Sequence, residues 1–189
     1  MKKYLYILPI LVVATLVLFL FPFNKKPQED NFQVSTQQEP TASLANPASQ
    51  HCEDNGGNLE IVTESDGSQF GLCNFADYSC EEWAYFNGEC DIENDAEKIK
   101  QALINKGLNL TDMKVVIKKH LGQYIEGAVL PVSAPAGGGY VFAVKQGNDI
   151  KVLADGNGAI MCTSFDDYPD FSTYLVPECI DEAGNPVSR

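Results

Sequence analysis

Positive charge is scarce in this 189-residue chain. Residues 51–97 hold no Lys or Arg against thirteen Asp or Glu. Residues 27–189 carry nine basic and 26 acidic side chains, a net of −17. That excludes a nucleic-acid binder, which exchanges a basic surface against phosphate counterions. Histidine is nearly absent, with only His51 and His120, so histidine-based catalysis and histidine-rich metal sites have little material. After residue 23 no second amphipathic or alternating stretch suited to membrane insertion follows, which argues against a pore-former. Apolar material is not lacking: 44% of residues are hydrophobic and 10% aromatic, which excludes a wholly disordered chain.

The longest apolar run is at the amino terminus. Tyr4 to Phe23 contains no charge and follows Lys2-Lys3. As a helix at about 1.5 Å per residue it spans ~30 Å, a bilayer core. Its exit, Phe19-Leu20-Phe21-Pro22-Phe23, is bulky where a cleavable signal needs small residues, and no Cys follows closely as in a lipoprotein. An uncleaved signal anchor over 1–26 is expected. Asn24 to Gln50 is rich in Gln, Ser, Pro and Asn and reads as a flexible stalk, taken as 27–46. All six cysteines (Cys52, Cys73, Cys80, Cys90, Cys162, Cys179) follow the span. An even set in Gly-rich modules reads as disulfides formed outside the cytoplasm, so a single-pass bacterial membrane protein with an extracytoplasmic carboxyl-terminal part is expected.

The folded part reads as α+β. A small disulfide-stapled αββα module at 47–92 precedes a domain at 93–189 with a helix packed on an antiparallel sheet. In the module a helix is expected over Ala48 to Glu53. Strands follow over Asn58 to Glu64 and Gln69 to Phe75, and then a helix near Glu81-Glu82 capped by Ser79. Its four cysteines allow three pairings. In the second domain a helix is expected from Asn94-Asp95-Ala96-Glu97, with Ala96, Ile99, Ala102 and Leu103 on its apolar face and Gly107 as its stop. Strands are expected over Met113 to Lys119, Gln123 to Val132, Tyr140 to Gln146 and Asp149 to Leu153. Cys162 is expected to bond to Cys179 and clip the irregular tail.

The string Asn46-Pro47-Ala48-Ser49, Cys52, Gly56-Gly57, Asp66-Gly67, Gly71-x-Cys73 and Cys80-Glu81-Glu82-Trp83-Ala84-Tyr85-Phe86-x-Gly88-x-Cys90 resembles the bacterial domain of unknown function 333. Members of that family often carry a hemolysin label. The resemblance covers about residues 46–90 and implies no catalytic or lytic residue. Ala76-Asp77-Tyr78 precedes Cys80 where members usually have a glycine in the turn.

Most candidate sites have ordinary structural readings. Asp91, Glu93 and Asp95 imitate the first ligands of a calcium loop. Ala96 and Ala102, however, stand where the turn Gly and the bidentate Glu belong, so a helix amino-terminal cluster is expected, with no metal. Asp155-Gly156-Asn157-Gly158 reads as a turn and Asp166-Asp167 with Asp170 as a solvated loop. His120, at the end of a lysine-rich stretch, is expected at the surface, and Trp83 inside the module core with Phe86 on the same face, the competing reading being an exposed Trp83 that serves as a binding anchor. The expected function is non-enzymatic binding of an envelope or extracellular protein or polymer, without cofactor or nucleic acid and tethered to the membrane. Binding residues are expected among Trp83, Tyr85, Pro135 and Gly138. Two alternatives are an inhibitor of envelope peptidases presenting the loop Pro131 to Gly139, and an envelope hydrolase using acidic residues.

Overall fold

The computed structural model describes residues 46–134 and 137–189. The expected anchor, the stalk up to residue 45, and Pro135 lie outside the described residues. No helix among the described residues is long and apolar enough to cross a membrane.

The chain runs through α1 (Pro47–Asp54), β1 (Asn58–Thr63), β2 (Gln69–Asn74), β3 (Ser79–Glu81), α2 (Glu82–Phe86) and α3 (Ile92–Asn105). It continues through β4 (Met113–Leu121), β5 (Tyr124–Pro131), β6 (Gly139–Gln146), β7 (Asp149–Gly156), a 3-10 turn (Cys162–Phe165), and the short strands β8 (Glu178–Ile180) and β9 (Pro186–Ser188). Strands β1 to β7 form one sheet in chain order. Every neighbouring pair is antiparallel except β3 and β4, which run parallel through Ser79–Lys119 and Cys80–His120. The strands of residues 47–92 and 93–189 therefore belong to one sheet, and the described residues from 46 onward fall in one compact unit.

Helix ends follow local chemistry. Asn46 caps α1 by accepting from the Ala48 amide at 3.0 Å, and Pro47 takes the first helical position, where a missing N–H is harmless. Helix α3 starts earlier than the capping-box pattern predicts. Asp91 is its cap, accepting from the Asn94 amide at 3.3 Å, so Asn94 and Asp95 lie inside the helix. Glu81, rather than Ser79, caps α2, accepting from the amides of Trp83 and Ala84. Ser79 instead opens β3, a strand the sequence pattern does not reveal because it is three residues long. Strand β7 extends to Gly156, so Asp155 and Gly156 pair with Val141 and Tyr140 rather than forming a turn. Gly107, at φ +97°, follows α3 as the left-handed stop.

Strand alternation gives the sheet two faces. On one, Ile99 and Leu103 of α3 pack against Ile125, Val141 and Ala143, and α1 is bonded to β2 through Cys52–Cys73. On the other, the tail supplies Phe165, Phe171, Leu175 and Val176 against Val62, Leu72, Tyr124, Phe142 and Val144. The Cys162–Cys179 disulfide closes this tail as the cysteine count predicts, with a Cα–Cα distance of 5.1 Å. Glu64 fastens it to the first hairpin by accepting from the Ser172 and Thr173 hydroxyls and from the Tyr174 amide. Residues 62 and 72 thus share a core with residues 165–179.

The module is organised around a buried carboxylate. Glu82 accepts from Asn46 Nδ2 at 2.9 Å and Ser49 Oγ at 2.6 Å, tying α2 to the start of α1. It fits because residue 71 has no side chain: a Cβ there would lie 2.3 Å from Glu82 Cδ. Gly71→Ala is therefore expected to destabilise by about 1–3 kcal/mol. The cost should shrink in a Glu82→Ala background, with a coupling of about 0.5 kcal/mol or more in a denaturant-unfolding double-mutant cycle. Strict additivity would show that the two residues do not meet.

Candidate functional site

Trp83 departs from its expected place in the core. Helix α2 is five residues long, and its inward positions are taken by Glu82 and Ala84. Trp83 and Phe86 consequently share the outward face, 44% and 43% exposed, with ring centroids 5.8 Å apart. Tyr85 is half-buried between two other rings, with centroids 5.1 Å from His51 and 5.0 Å from Phe75. His51 also meets Phe86 edge-on at 5.5 Å, and Phe75 stacks on Tyr78 at 4.8 Å. The result is a continuous row of six rings: Tyr78, Phe75, Tyr85, His51, Phe86 and Trp83. Tyr78 also lines a cleft of about 350 Å³ between α3 and β4, together with Asp77, Glu93, Glu97, Lys100 and Lys114.

The structure brings Trp83 and Tyr85 together but assigns Gly138 elsewhere. Gly138 has φ +114°, and a Cβ there would meet Val129 O at 2.1 Å, so close backbone approach explains the glycine. It lines a different cleft, with Leu108, Asn109 and Gly156. The aromatic row was missed because its members come from three elements. His51 lies more than twenty residues before Phe75 and Tyr78, so only the fold brings α1 to the connection between β2 and β3.

A second cluster lies beneath α3, and it corrects one expectation. His120 is fully buried rather than at the surface, because β4 directs it under α3. Asp95 lies in the first turn of α3, as the amino-terminal cluster predicts, but its side chain is fully buried. His120 Nε2 donates to Asp95 Oδ2 at 3.2 Å, and Lys145 Nζ donates to the same oxygen at 2.7 Å. Lys145 Nζ also donates to the Glu89 carbonyl at 2.8 Å, which ties down the loop carrying Cys90. Asp95 Oδ1 and His120 Nδ1 are buried and have no hydrogen-bond partner among the described residues. A ring nitrogen of His120 and the sulfurs of Cys80 and Cys90 lie within 4.8 Å of one another. Such a trio can hold a soft metal only as thiolates. Here the two cysteines are disulfide-bonded, as are Cys52 and Cys73. One sequence feature marks this cluster: an acid at the fourth position of a helix whose apolar face it shares.

Burial holds the His120 imidazole below its ordinary value of 6.5. Asp95 opposes that shift, while the Lys145 charge adds to it. A histidine with a depressed folded-state value stabilises the fold fully above about pH 6.5 and loses that contribution as pH falls. The unfolding midpoint should therefore drop between about pH 7 and about pH 5.5, before most carboxylates titrate. His120→Gln should flatten the drop; an unchanged slope would mean that His120 is not the group titrating.

No curated protein and no solved structure matches the chain. Residues 43–89, which hold the motif residues of the module from the cap of α1 to the loop before Cys90, match the family described as Domain of unknown function (DUF333).

Proposed function

We propose that this chain is a membrane-tethered, extracytoplasmic binding protein whose module at residues 47–92 takes up a cationic partner through the aromatic row. The observation that carries this reading is the exposure of Trp83 and Phe86 at one end of six rings in series. Aromatic faces attract ammonium and guanidinium groups within about 6 Å of the ring centroid. Carboxylates around the row add long-range attraction and speed encounter. Residues 47–92 carry ten Asp or Glu and no Lys or Arg. A Lys- or Arg-rich protein segment, or a polymer bearing amino groups, fits that chemistry. The uncharged run Tyr4 to Phe23 and the disulfide pairing support the tether and the compartment.

Trp83 is the only tryptophan in the chain, so its emission reports on the site directly. Detergent-solubilised full chain titrated with oligolysine should show a Trp83 emission change that weakens as salt rises; oligoglutamate should produce none. Trp83→Ala should lower oligolysine affinity about fivefold or more, as judged by anisotropy of labelled ligand. Being half-exposed, it should shift the unfolding midpoint by only a few degrees. Equal responses to both oligomers would defeat the proposal.

A further inference from the structure

We infer that the Cys80–Cys90 disulfide is a thiol–disulfide exchange site, opened by an external dithiol and assisted by His120. The three disulfides have different surroundings. Cys52 and Cys73 are both fully buried, with Gly57 packed against their sulfurs: a Cβ there would lie 2.4 Å from Cys73 Sγ. Cys162–Cys179 closes the apolar tail. Cys80–Cys90 alone has a histidine in reach of both sulfurs. The reason is topological: Cys80 and His120 are register partners across the parallel β3–β4 pair, so their side chains leave the sheet side by side.

The two sulfurs also differ in access. Cys80 is fully buried, whereas Cys90 is partly exposed on the loop between α2 and α3. Its neighbour Glu89 lines a cleft of about 370 Å³ together with Lys145. His120 donates through Nε2 to Asp95, which leaves Nδ1 as a buried acceptor without a donor. An unmet buried polar atom costs about 1–3 kcal/mol. The disulfide sulfurs in reach of the ring have no proton to give it, whereas reduced cysteines do.

The exchange balances as follows. A thiolate of the incoming dithiol adds to Cys90 Sγ, the disulfide breaks, and its electron pair leaves on Cys80 Sγ beside the imidazole. The dithiol's second sulfur then displaces Cys90 Sγ and closes the dithiol's own disulfide. Two electrons and two protons pass to the cysteine pair, one proton resting on the imidazole opposite the Cys80 thiolate and the other on Cys90. Stabilising the thiolate in this way stabilises the reduced form, which makes the disulfide easier to reduce. Asp95 holds the imidazole and balances its charge, so it acts as a positioning residue.

The test is a redox titration of the oxidised full chain in detergent. Graded ratios of reduced to oxidised dithiothreitol are applied, free thiols are alkylated, and each cysteine peptide is quantified by mass spectrometry. Cys80 and Cys90 are expected to become alkylated at ratios that leave Cys52–Cys73 intact. His120→Gln should raise the ratio needed about tenfold, ~30 mV for a two-electron couple. A purely structural role for His120 predicts the opposite sign, because a loosened fold exposes every disulfide to the reductant. Simultaneous opening of the wild-type disulfides, opening of Cys80–Cys90 last, or easier opening in His120→Gln would each overturn the inference, and the wild-type order decides even if the variant fails to fold.

Discussion

The sheet hangs together across its shortest seam. Strands β3 and β4 meet through only two register pairs, Ser79 with Lys119 and Cys80 with His120. A parallel contact that brief contributes few hydrogen bonds and is no more stable per residue than an antiparallel one. It persists because both faces of the sheet are clamped around it. On the helical face, Asp95 draws His120 of β4 and Lys145 of β6 towards α3, and Cys80–Cys90 ties β3 to the loop that precedes α3. On the opposite face the tail core spans the seam, with Val62 and Leu72 on one side of it and Phe142 and Val144 on the other. Removing either clamp leaves the two halves joined mostly by the other.

Asp95 is therefore a structural group of unusual weight. A buried carboxylate is favourable only when its partners offset the loss of solvation, and truncating one partner of such a cluster typically costs about 3–5 kcal/mol. Lys145 supplies the charge, while His120 stays neutral because burial disfavours its cation. Lys145, held by Asp95, also anchors the Cys90 loop through the Glu89 carbonyl. Stability of the seam and reactivity of the adjacent disulfide are thus set by one cluster, and neither can be altered without affecting the other.

Much of this was legible in the sequence, for identifiable reasons. The meander β4 to β7 follows from alternating strands separated by Gly-rich turns, a signal that depends only on neighbours in sequence. The pairing of Cys162 with Cys179 followed from the split of cysteines along the chain. What failed to show depends on distant partners. Strand β3 is too short for periodicity, and nothing local announces its parallel neighbour. Trp83 looked like core material because a small module with one tryptophan ordinarily buries it. The inward place went instead to Glu82, whose partners Asn46 and Ser49 lie more than thirty residues away. His120 looked exposed beside Lys118 and Lys119; strict alternation from Ile117 would turn it away from α3, but the register shift between Ile117 and Lys119 rephases β4 and turns it inward.

That exchange of roles between Glu82 and Trp83 connects the fold to the proposed function. A five-residue helix has room for one inward face, and the structure gives it to a carboxylate hydrogen-bonded to α1 and seated on Gly71. An aromatic core would have filled the same space more simply, by the hydrophobic effect alone. The arrangement adopted instead aligns α1 and α2 rigidly, so that His51 bridges Tyr85 and Phe86 and the ring row is continuous. The buried polar contacts thus hold in place an apolar surface that the core does not consume. A module with ten acidic residues in 47–92 and no basic ones then presents rings and negative charge together, the combination that an ammonium or guanidinium group recognises.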